Sequence, residues 1–512
     1  MSPSSSQQHS SLTVRTIWLI AAKTVAFAFT VAIPLLLVRR MPQHEFGLYK
    51  QIFLVINSAV TMLPLGFGMT AFYFLPRDEH YRDHTVFNIV LFTTAISALF
   101  GAVVSLFPSL LIVLFKEPAA VEFAPWIGVI IVLWVVGSFL EIVTVANQDI
   151  RIATAAIIAI QITRATFFVT AAITAGTIWA LVLAALAQGL LQVAALGAYL
   201  SRRFPRFWRA LDWSFFRRQL AYSLPFGVAG LMYSLQSDLH NYFVSQRFGP
   251  TAYAIYSIGC FQLPLFGILA DSVGSIMIPR VSLLQHQQRT REIVLLTARV
   301  MRKLAAVYFP AYAFLLVMRH EFMTALFTSR YADSIPIFAV NLALIPLGVL
   351  LVDPIMRAYA EHRHFLLKVH GALVVGLVIA LPATISRFGL VGAIAVVVIT
   401  NALARGAILV KAIRILPVEP RDVVLLTDVA KIAAASTMAA VLTTLARFMS
   451  SSLPPLAALV VCGVCFGIGY AAAALALGVL TSEERESILD YLGRMMRRPS
   501  PRLTGAAPFV PD

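Results

Sequence analysis

The stretch that decides the fold occurs twice: residues 40–49 read RMPQHEFGLY, and residues 247–256 read RFGPTAYAIY. Each copy lies between two long apolar runs, and the two copies are offset by 207 residues. Six apolar runs separate them, and an even number of membrane crossings returns the chain to the same side. The duplication therefore predicts two parallel lobes related by an axis along the membrane normal.

The composition of the surrounding chain is that of a membrane protein. Its 512 residues are 59% hydrophobic and only 12% charged, and the mean hydropathy is +0.84. A soluble domain carries about 25% charged residues, so this chain has too few polar side chains to coat a globule in water. We therefore predict an all-α polytopic membrane protein with about 14 transmembrane helices, since each crossing takes about 20 apolar residues.

The predicted domains follow from the duplication. A tail at 1–15 precedes the N-lobe at 16–200, and a basic linker at 201–218 leads to the C-lobe at 219–412. Spans 13 and 14 occupy 428–480, and the tail at 481–512 carries either an amphipathic helix or a frayed end. The predicted spans, numbered in order, are 16–39, 47–76, 85–115, 123–147, 150–176, 177–200, 219–247, 251–279, 298–320, 332–360, 365–387, 388–412, 428–449 and 454–480.

The basic residues indicate an orientation rather than a nucleic-acid partner. The net charge is +16, but Lys and Arg lie in short loops between the apolar runs. With the N-terminus inside, 27 of them fall on the cytoplasmic side and 8 on the outer side. Such a bias predicts that both termini are cytoplasmic in a bacterial inner membrane.

Signatures of soluble enzymes and of metal sites do not occur in the sequence. It contains no P-loop, GxSxG or HExxH pattern. The connections between spans are too short to fold over a substrate, and the Cys462–Cys465 pair lies in an apolar run. We therefore expect a transporter without cofactor or metal, whose energy comes from a proton or sodium gradient or from its substrate.

Ionisable residues inside spans are the candidate site residues, because each costs about 2.5–3.5 kcal/mol at a helix centre. Arg164 lies roughly 20 Å beyond Arg151 along its helix. It either faces a cavity or pairs with Glu141 on the preceding span, and Glu141 could alternatively serve in ion coupling. Lys23 on span 1 either faces the cavity or extends its amine to the inner interface.

Three further polar residues are candidates for the substrate cavity. Asp238 and Asp271 lie on the repeat-related spans 7 and 8, where each either lines the cavity or forms a salt bridge between spans. Asn57 gives span 2 a weaker polar face, which fits either the cavity or a hydrogen bond between helices.

Several short motifs resemble the polysaccharide-transport (Wzx-like) family of oligosaccharide flippases, within the multidrug/oligosaccharidyl-lipid/polysaccharide (MOP) exporter superfamily. In the first lobe these are Val38–Tyr49, Pro64–Gly68 and Phe74–Arg77. In the second lobe they are Leu224–Gly227, Asp238, Phe248–Gly249, Tyr256–Ser257 and Pro279–Ser282.

This resemblance implies a V-shaped pair of six-helix lobes around a cavity lined by spans 1, 2, 7 and 8. It implies alternating access that moves an undecaprenyl-diphosphate-linked oligosaccharide to the outer leaflet, with membrane lipid and a polysaccharide polymerase and chain-length regulator as partners. A lipid II flippase and a cation-coupled multidrug exporter of the same superfamily stay open as alternatives. A polytopic glycosyltransferase or ligase is a further alternative from a different class.

Overall fold

The computed structural model describes residues 32–77, 79–205, 207–209, 212–359, 363–450 and 452–479. Within these ranges the chain is helical, with connecting turns and no β-strand, which confirms the predicted all-α class. Residues 32–40 are helical. The α-helices that follow are Gln43–Met62, Thr70–Phe74, Arg82–Leu106, Ser109–Phe115, Ala124–Gly137, Phe139–Ala146, Ile150–Thr174, Ile178–Arg203, Trp213–Gly259, Pro264–His286, Thr290–Val317, Arg319–Phe327, Ile335–Asn341, Leu344–Leu347, Asp353–Ala358, Arg363–Ile415, Thr427–Met449 and Pro455–Ala476.

Ten helices in this described part are long and apolar enough to cross a membrane, by length and composition. The count is lower than the predicted 14 for identifiable reasons. Span 1 lies largely before the described residues, and span 10 is broken into short helices. Span 7 lies in helix Trp213–Gly259, which is not among the ten, and spans 11 and 12 form one continuous helix. The helices Trp213–Gly259 and Arg363–Ile415 have 47 and 53 residues, more than twice what about 30 Å of hydrocarbon requires.

Both long helices reverse direction at a glycine. Gly249 has φ 75°, and beyond it the Tyr256 hydroxyl lies 2.7 Å from Nδ1 of His240. Sixteen residues of straight helix would separate those two residues by about 24 Å. The second reversal occurs at Gly389, beyond which a Cβ on Gly392 would lie 2.5 Å from the carbonyl oxygen of Thr384. Spans 7 and 8, and spans 11 and 12, are therefore antiparallel hairpins.

The start of span 7 is fixed by a helix cap. The Asp212 carboxylate accepts hydrogen bonds from the backbone N–H groups of Ser214 and Phe215, at 2.9 and 3.0 Å. Such bonds satisfy donors that a helix N-terminus leaves free, and they hold the pKa of the Asp212 carboxyl below its ordinary value. The predicted linker at 201–218 begins and ends within helices, since one helix ends at Arg203 and the next begins at Trp213.

Three spans are interrupted within the bundle. Span 2 breaks after Met62, span 8 breaks between Gly259 and Pro264, and span 10 consists of three short helices between 335 and 358. Each break contains or adjoins a proline, which has no N–H to donate to the preceding turn. Pro64 and Pro264 thus lie at breaks in the helices.

Span 2 is in direct backbone contact with span 7 near Gly227 and with the turn after span 7 at Pro250. A Cβ on Gly47 would lie 1.8 Å from the carbonyl oxygen of Pro250, and a Cβ on Gly227 would lie 2.1 Å from that of Leu65. No side chain fits at either crossing. Span 2 belongs to the predicted N-lobe and span 7 to the predicted C-lobe, so these contacts join the two halves of the chain.

Buried polar side chains add to this contact. Nε2 of Gln51 donates to Oγ of Ser245 at 2.8 Å. Further along, Gln219 accepts from the Asn88 amide at 2.7 Å and donates to the Thr70 hydroxyl at 3.2 Å. Away from water such bonds specify how the surfaces align, because sliding them apart would leave donors and acceptors unpaired.

We expect Gly227→Ala to lower the free energy of unfolding by about 1–3 kcal/mol, because the added methyl overlaps the backbone of span 2. Gly230→Ala is the matched control, since its Cβ meets nothing within 4 Å one turn further along the same helix. That control should be neutral or stabilising by up to about 1 kcal/mol. Thermal unfolding of the purified protein in detergent compares them, and equal effects of the two substitutions would contradict the observed contact.

Candidate functional site

A small cavity lies among spans 2, 4, 5 and 6, and we call it the N-lobe cavity. Its volume is about 210 Å³. Apolar residues such as Val60 and Ile157 form part of its wall, and Trp134 forms another part. Its polar lining residues are Ser138, Glu141, Gln161, Arg164, Gln188 and Gln192.

Arg164 places a positive charge in this cavity near the middle of helix Ile150–Thr174. Its guanidinium lies 4.6 Å from the ring centroid of Trp134 and 6.0 Å from that of Phe168. Aromatic faces attract a cation but do not neutralise it. In the described part of the chain, no carboxylate lies within 4.0 Å of Arg164, and residues 1–31 contain no Asp or Glu.

Glu141 lines the same cavity as Arg164 but does not form an ion pair with it. The structure thus brings together the two residues that the sequence suggested as partners, and leaves a gap between their charges. A ligand with both acceptor and donor groups can occupy such a gap.

Gln188 is the second unusual group of the N-lobe cavity. Its side chain is 1% exposed, and its Nε2 donates to the Ile160 carbonyl oxygen at 3.2 Å. Its Oε1 is buried and accepts no hydrogen bond in the structure. An unsatisfied buried acceptor costs about 1–3 kcal/mol, so this oxygen favours a ligand or water that donates to it.

A larger cavity of about 490 Å³ lies among spans 7, 8, 9, 10 and 12, and we call it the C-lobe cavity. It forms where spans 8 and 10 are broken, so freed backbone groups lie close to it. Side chains bind two of them: Asn341 donates to the Phe261 carbonyl and Arg405 to that of Leu350, both at 3.1 Å. The Tyr308 hydroxyl donates to the carbonyl of Phe266, in the first turn of helix Pro264–His286, at 2.7 Å. Its other polar lining residues include Ser237, Asp238, His240, Asn241, Gln262 and Asn401.

Asp238 connects the C-lobe cavity to the contact between the lobes. It lines that cavity, and its Oδ2 accepts a hydrogen bond from the Ser58 hydroxyl of span 2 at 3.4 Å. Neighbouring His240 is buried and bonded to Tyr256, which holds the spans 7 and 8 hairpin together. Asp238 is therefore placed to respond to movement of span 2.

The other predicted site residues lie apart from both cavities. Lys23 falls outside the described residues. Asn57 and Asp271 are exposed on spans 2 and 8, and neither lines the N-lobe or the C-lobe cavity. The N-lobe and C-lobe cavities lie within the helix groups and hold Arg164, Glu141 and Asp238, whereas the single cavity expected between the lobes stays a prediction.

Sequence reasoning missed the amides of the N-lobe cavity and the polar residues of the C-lobe cavity on spans 10 and 12. Gln188 and Gln192 are spaced i,i+4 on an otherwise apolar span, which places them on one face of the helix. Two amides at that spacing indicate a polar face on a membrane-spanning helix, so the sequence contained a signal for these residues. Neither cavity contains a metal-binding cluster, since no three His, Cys, Asp or Glu side chains converge anywhere in the described ranges.

The fold is similar to solved membrane transporters at low sequence identity. The lipid II flippase MurJ in an inward closed conformation matches with a TM-score of 0.68 at 13% identity, covering 90% of this chain and 99% of that one. An inward-facing multidrug resistance MATE family transporter of the MOP superfamily matches with 0.59 at 14% identity, covering 78% and 95%. The Vibrio cholerae MATE transporter VcmN matches with 0.56 at 14% identity, covering 82% and 99%.

These structural similarities establish the fold, whereas the family assignment rests on a match of the amino-acid sequence. No curated protein matches the chain. Residues 36–336, more than half of the chain, match the family described as "Polysaccharide biosynthesis protein". The match begins at the end of span 1 and extends into span 10, so it includes both copies of the repeat that predicted the two lobes. The chain therefore belongs to the polysaccharide biosynthesis protein family and has the fold of the MOP superfamily transporters.

Proposed function

We propose that this protein is a flippase that moves an undecaprenyl-diphosphate-linked oligosaccharide from the inner to the outer leaflet of the bacterial cytoplasmic membrane. Its product would serve the assembly of O-antigen, capsule or exopolysaccharide. The observation that carries the proposal is Arg164, whose guanidinium has no carboxylate within 4.0 Å among the described residues and lies in a polar cavity, in a chain of the polysaccharide biosynthesis family.

The physical problem of flipping explains why polar cavities inside the bundle matter. A glycan and a diphosphate lose their hydration when they cross about 30 Å of hydrocarbon, and unpaired polar groups there cost several kcal/mol each. Amides, hydroxyls and guanidinium groups within the protein replace that lost water. The apolar chain of the lipid carrier needs no polar groups around it and stays in the hydrocarbon of the membrane.

Alternating access requires that the lobes separate at one side of the membrane at a time. The contact between spans 2 and 7 consists of glycine-mediated backbone approaches and a few polar bonds. The break in span 2 after Met62 and the hairpin turn at Gly249 are the points where the chain can bend without breaking regular helix bonds. We propose that a proton or sodium gradient drives this movement through Asp238 or Glu141.

The proposal includes a location and partners. The distribution of basic residues, 27 against 8, supports a cytoplasmic location for both termini. The membrane lipid surrounds the apolar faces of the spans, a polysaccharide polymerase and chain-length regulator receive the flipped unit, and nucleic acid has no part.

Two alternatives within the superfamily each rest on a specific observation. A lipid II flippase agrees with the high structural similarity to MurJ. A cation-coupled multidrug exporter agrees with the MATE similarity and with acidic Glu141 and Asp238 at the two cavities. The family assignment favours polysaccharide intermediates over both, because the family is described by polysaccharide biosynthesis.

We expect deletion of the gene to abolish the surface polysaccharide and to accumulate carrier-linked saccharide units in the inner leaflet, because their export route is lost. Complementation from a plasmid should restore both. Gel analysis of surface polysaccharide and mass spectrometry of extracted lipids measure the two effects. Normal polysaccharide in a deletion strain that has no second flippase would contradict the proposal.

We expect Arg164→Ala to reduce complementation of the deletion strain by roughly 10- to 100-fold, because a charge-assisted hydrogen bond contributes about 1.5–3 kcal/mol. Arg151→Ala is the control, since Arg151 is exposed on the same helix. Membrane levels of both variants are quantified by immunoblot. Loss of the Arg164→Ala protein from the membrane, or full activity of that variant, would argue against a role in transport.

The exporter alternative makes an opposite prediction. If the chain exports drugs by cation coupling, the deletion strain becomes drug-sensitive and Glu141→Gln fails to restore resistance. Under our proposal, minimal inhibitory concentrations in the deletion strain stay unchanged for compounds that do not depend on the surface polysaccharide as a barrier.

A further inference from the structure

The N-lobe cavity has a size that restricts its occupant. Cavities for drug-sized ligands measure about 300–1,000 Å³, and the N-lobe cavity, at about 210 Å³, is smaller. It holds about seven waters at roughly 30 Å³ each, which is the space of one sugar ring with its substituents. It is too small for an oligosaccharide or for a complete diphosphate-sugar.

The chemistry of the cavity wall restricts the occupant further. Arg164 provides a positive charge that no carboxylate in the described structure neutralises, so it favours an anionic group. Oε1 of Gln188 is a buried acceptor that needs a donor. A hydroxyl group supplies such a donor, whereas a fully ionised phosphate supplies none.

The remaining polar residues fit a ligand that carries several hydroxyls. Gln161 and Gln192 offer both donors and acceptors, and the Glu141 carboxylate accepts from hydroxyl groups. Glu141 and Arg164 lie more than 4.0 Å apart, so an anion beside Arg164 leaves the Glu141 side for hydroxyls. A hydrophobic cation would offer the three amides no hydrogen-bond partner, and the positive charge of Arg164 would repel it.

We propose that the N-lobe cavity binds one acidic monosaccharide unit of the transported glycan, a sugar of the uronic acid class, with its carboxylate at Arg164 and its hydroxyls at Gln188 and Glu141. This inference rests on the proposed function and names the chemical class of its cargo. It also assigns Gln188 a role in binding, which the family match does not suggest.

The test uses the purified full-length protein in lipid nanodiscs and radiolabelled D-glucuronate as the probe. We expect saturable binding at about millimolar concentration, which corresponds to about 4 kcal/mol for a single sugar. Unlabelled D-glucose should compete at least roughly tenfold more weakly, because it leaves Arg164 without an anion. Inorganic phosphate should also compete weakly, because it lacks the array of hydroxyls.

Variants then locate the site. Arg164→Ala and Gln188→Leu should each weaken glucuronate binding by roughly tenfold or more, and Arg151→Ala should leave it unchanged. Arg164→Lys, which keeps the charge but presents fewer donors, provides a second variant if Arg164→Ala does not fold, and it should bind more weakly than the parent protein. Thermal unfolding verifies that each variant is folded.

Three outcomes would overturn the inference: no saturable glucuronate binding, equal competition by glucose, or binding that survives both the Arg164 and the Gln188 substitutions. These outcomes are distinct from failure of the proposed function. Absent glucuronate binding together with loss of polysaccharide in the deletion strain refutes the acidic-sugar site alone. Glucuronate binding together with normal polysaccharide in that strain refutes the flippase assignment and leaves the site in place.

Discussion

The structure depends on one constraint: a polar group at membrane depth has no water to bind, so the protein must satisfy it internally or leave it for a ligand. Regular helices satisfy their own backbone, and most of this chain consists of them. The exceptions are the broken spans 2, 8 and 10. Around the breaks in spans 8 and 10, Asn341 and Arg405 bind freed carbonyl oxygens.

The same constraint applies to the polar groups that lack a partner within the protein. Arg164 has aromatic rings around it but no carboxylate in the described ranges, and Gln188 has a buried acceptor without a donor. A protein that needed only stability would replace these residues with apolar ones of similar volume. Their presence in one cavity is better explained by a polar molecule that occupies the cavity during part of the transport cycle.

The contact between spans 2 and 7 connects the C-lobe cavity with the movement of the lobes. Gly47 and Gly227 let the two backbones touch near both ends of span 2, and Ser58 reaches across this contact to Asp238 at the C-lobe cavity. Separation of spans 2 and 7 at this point must therefore break the bond between Ser58 and Asp238.

The sequence predicted the spans, the repeat and the depth of Arg164, since these depend on apolar length and on spacing along one helix. It did not predict that Gln161, Gln188 and Gln192 line one cavity with Arg164, because that depends on how two helices rotate against each other. Nor did it separate Asp238, which lines a cavity, from Asp271, which does not.

Transport across a defined bilayer tests the central claim most directly. The purified protein is reconstituted into liposomes that carry an undecaprenyl-diphosphate-linked oligosaccharide, and the glycan exposed on the outer surface is followed over time with an impermeant glycosidase. The account predicts that the protein brings most of the glycan within reach of the enzyme, that Arg151→Ala does so equally well, and that Arg164→Ala slows the process by roughly tenfold or more. Glycan exposure at the same rate in empty liposomes and in those containing the protein would contradict the account.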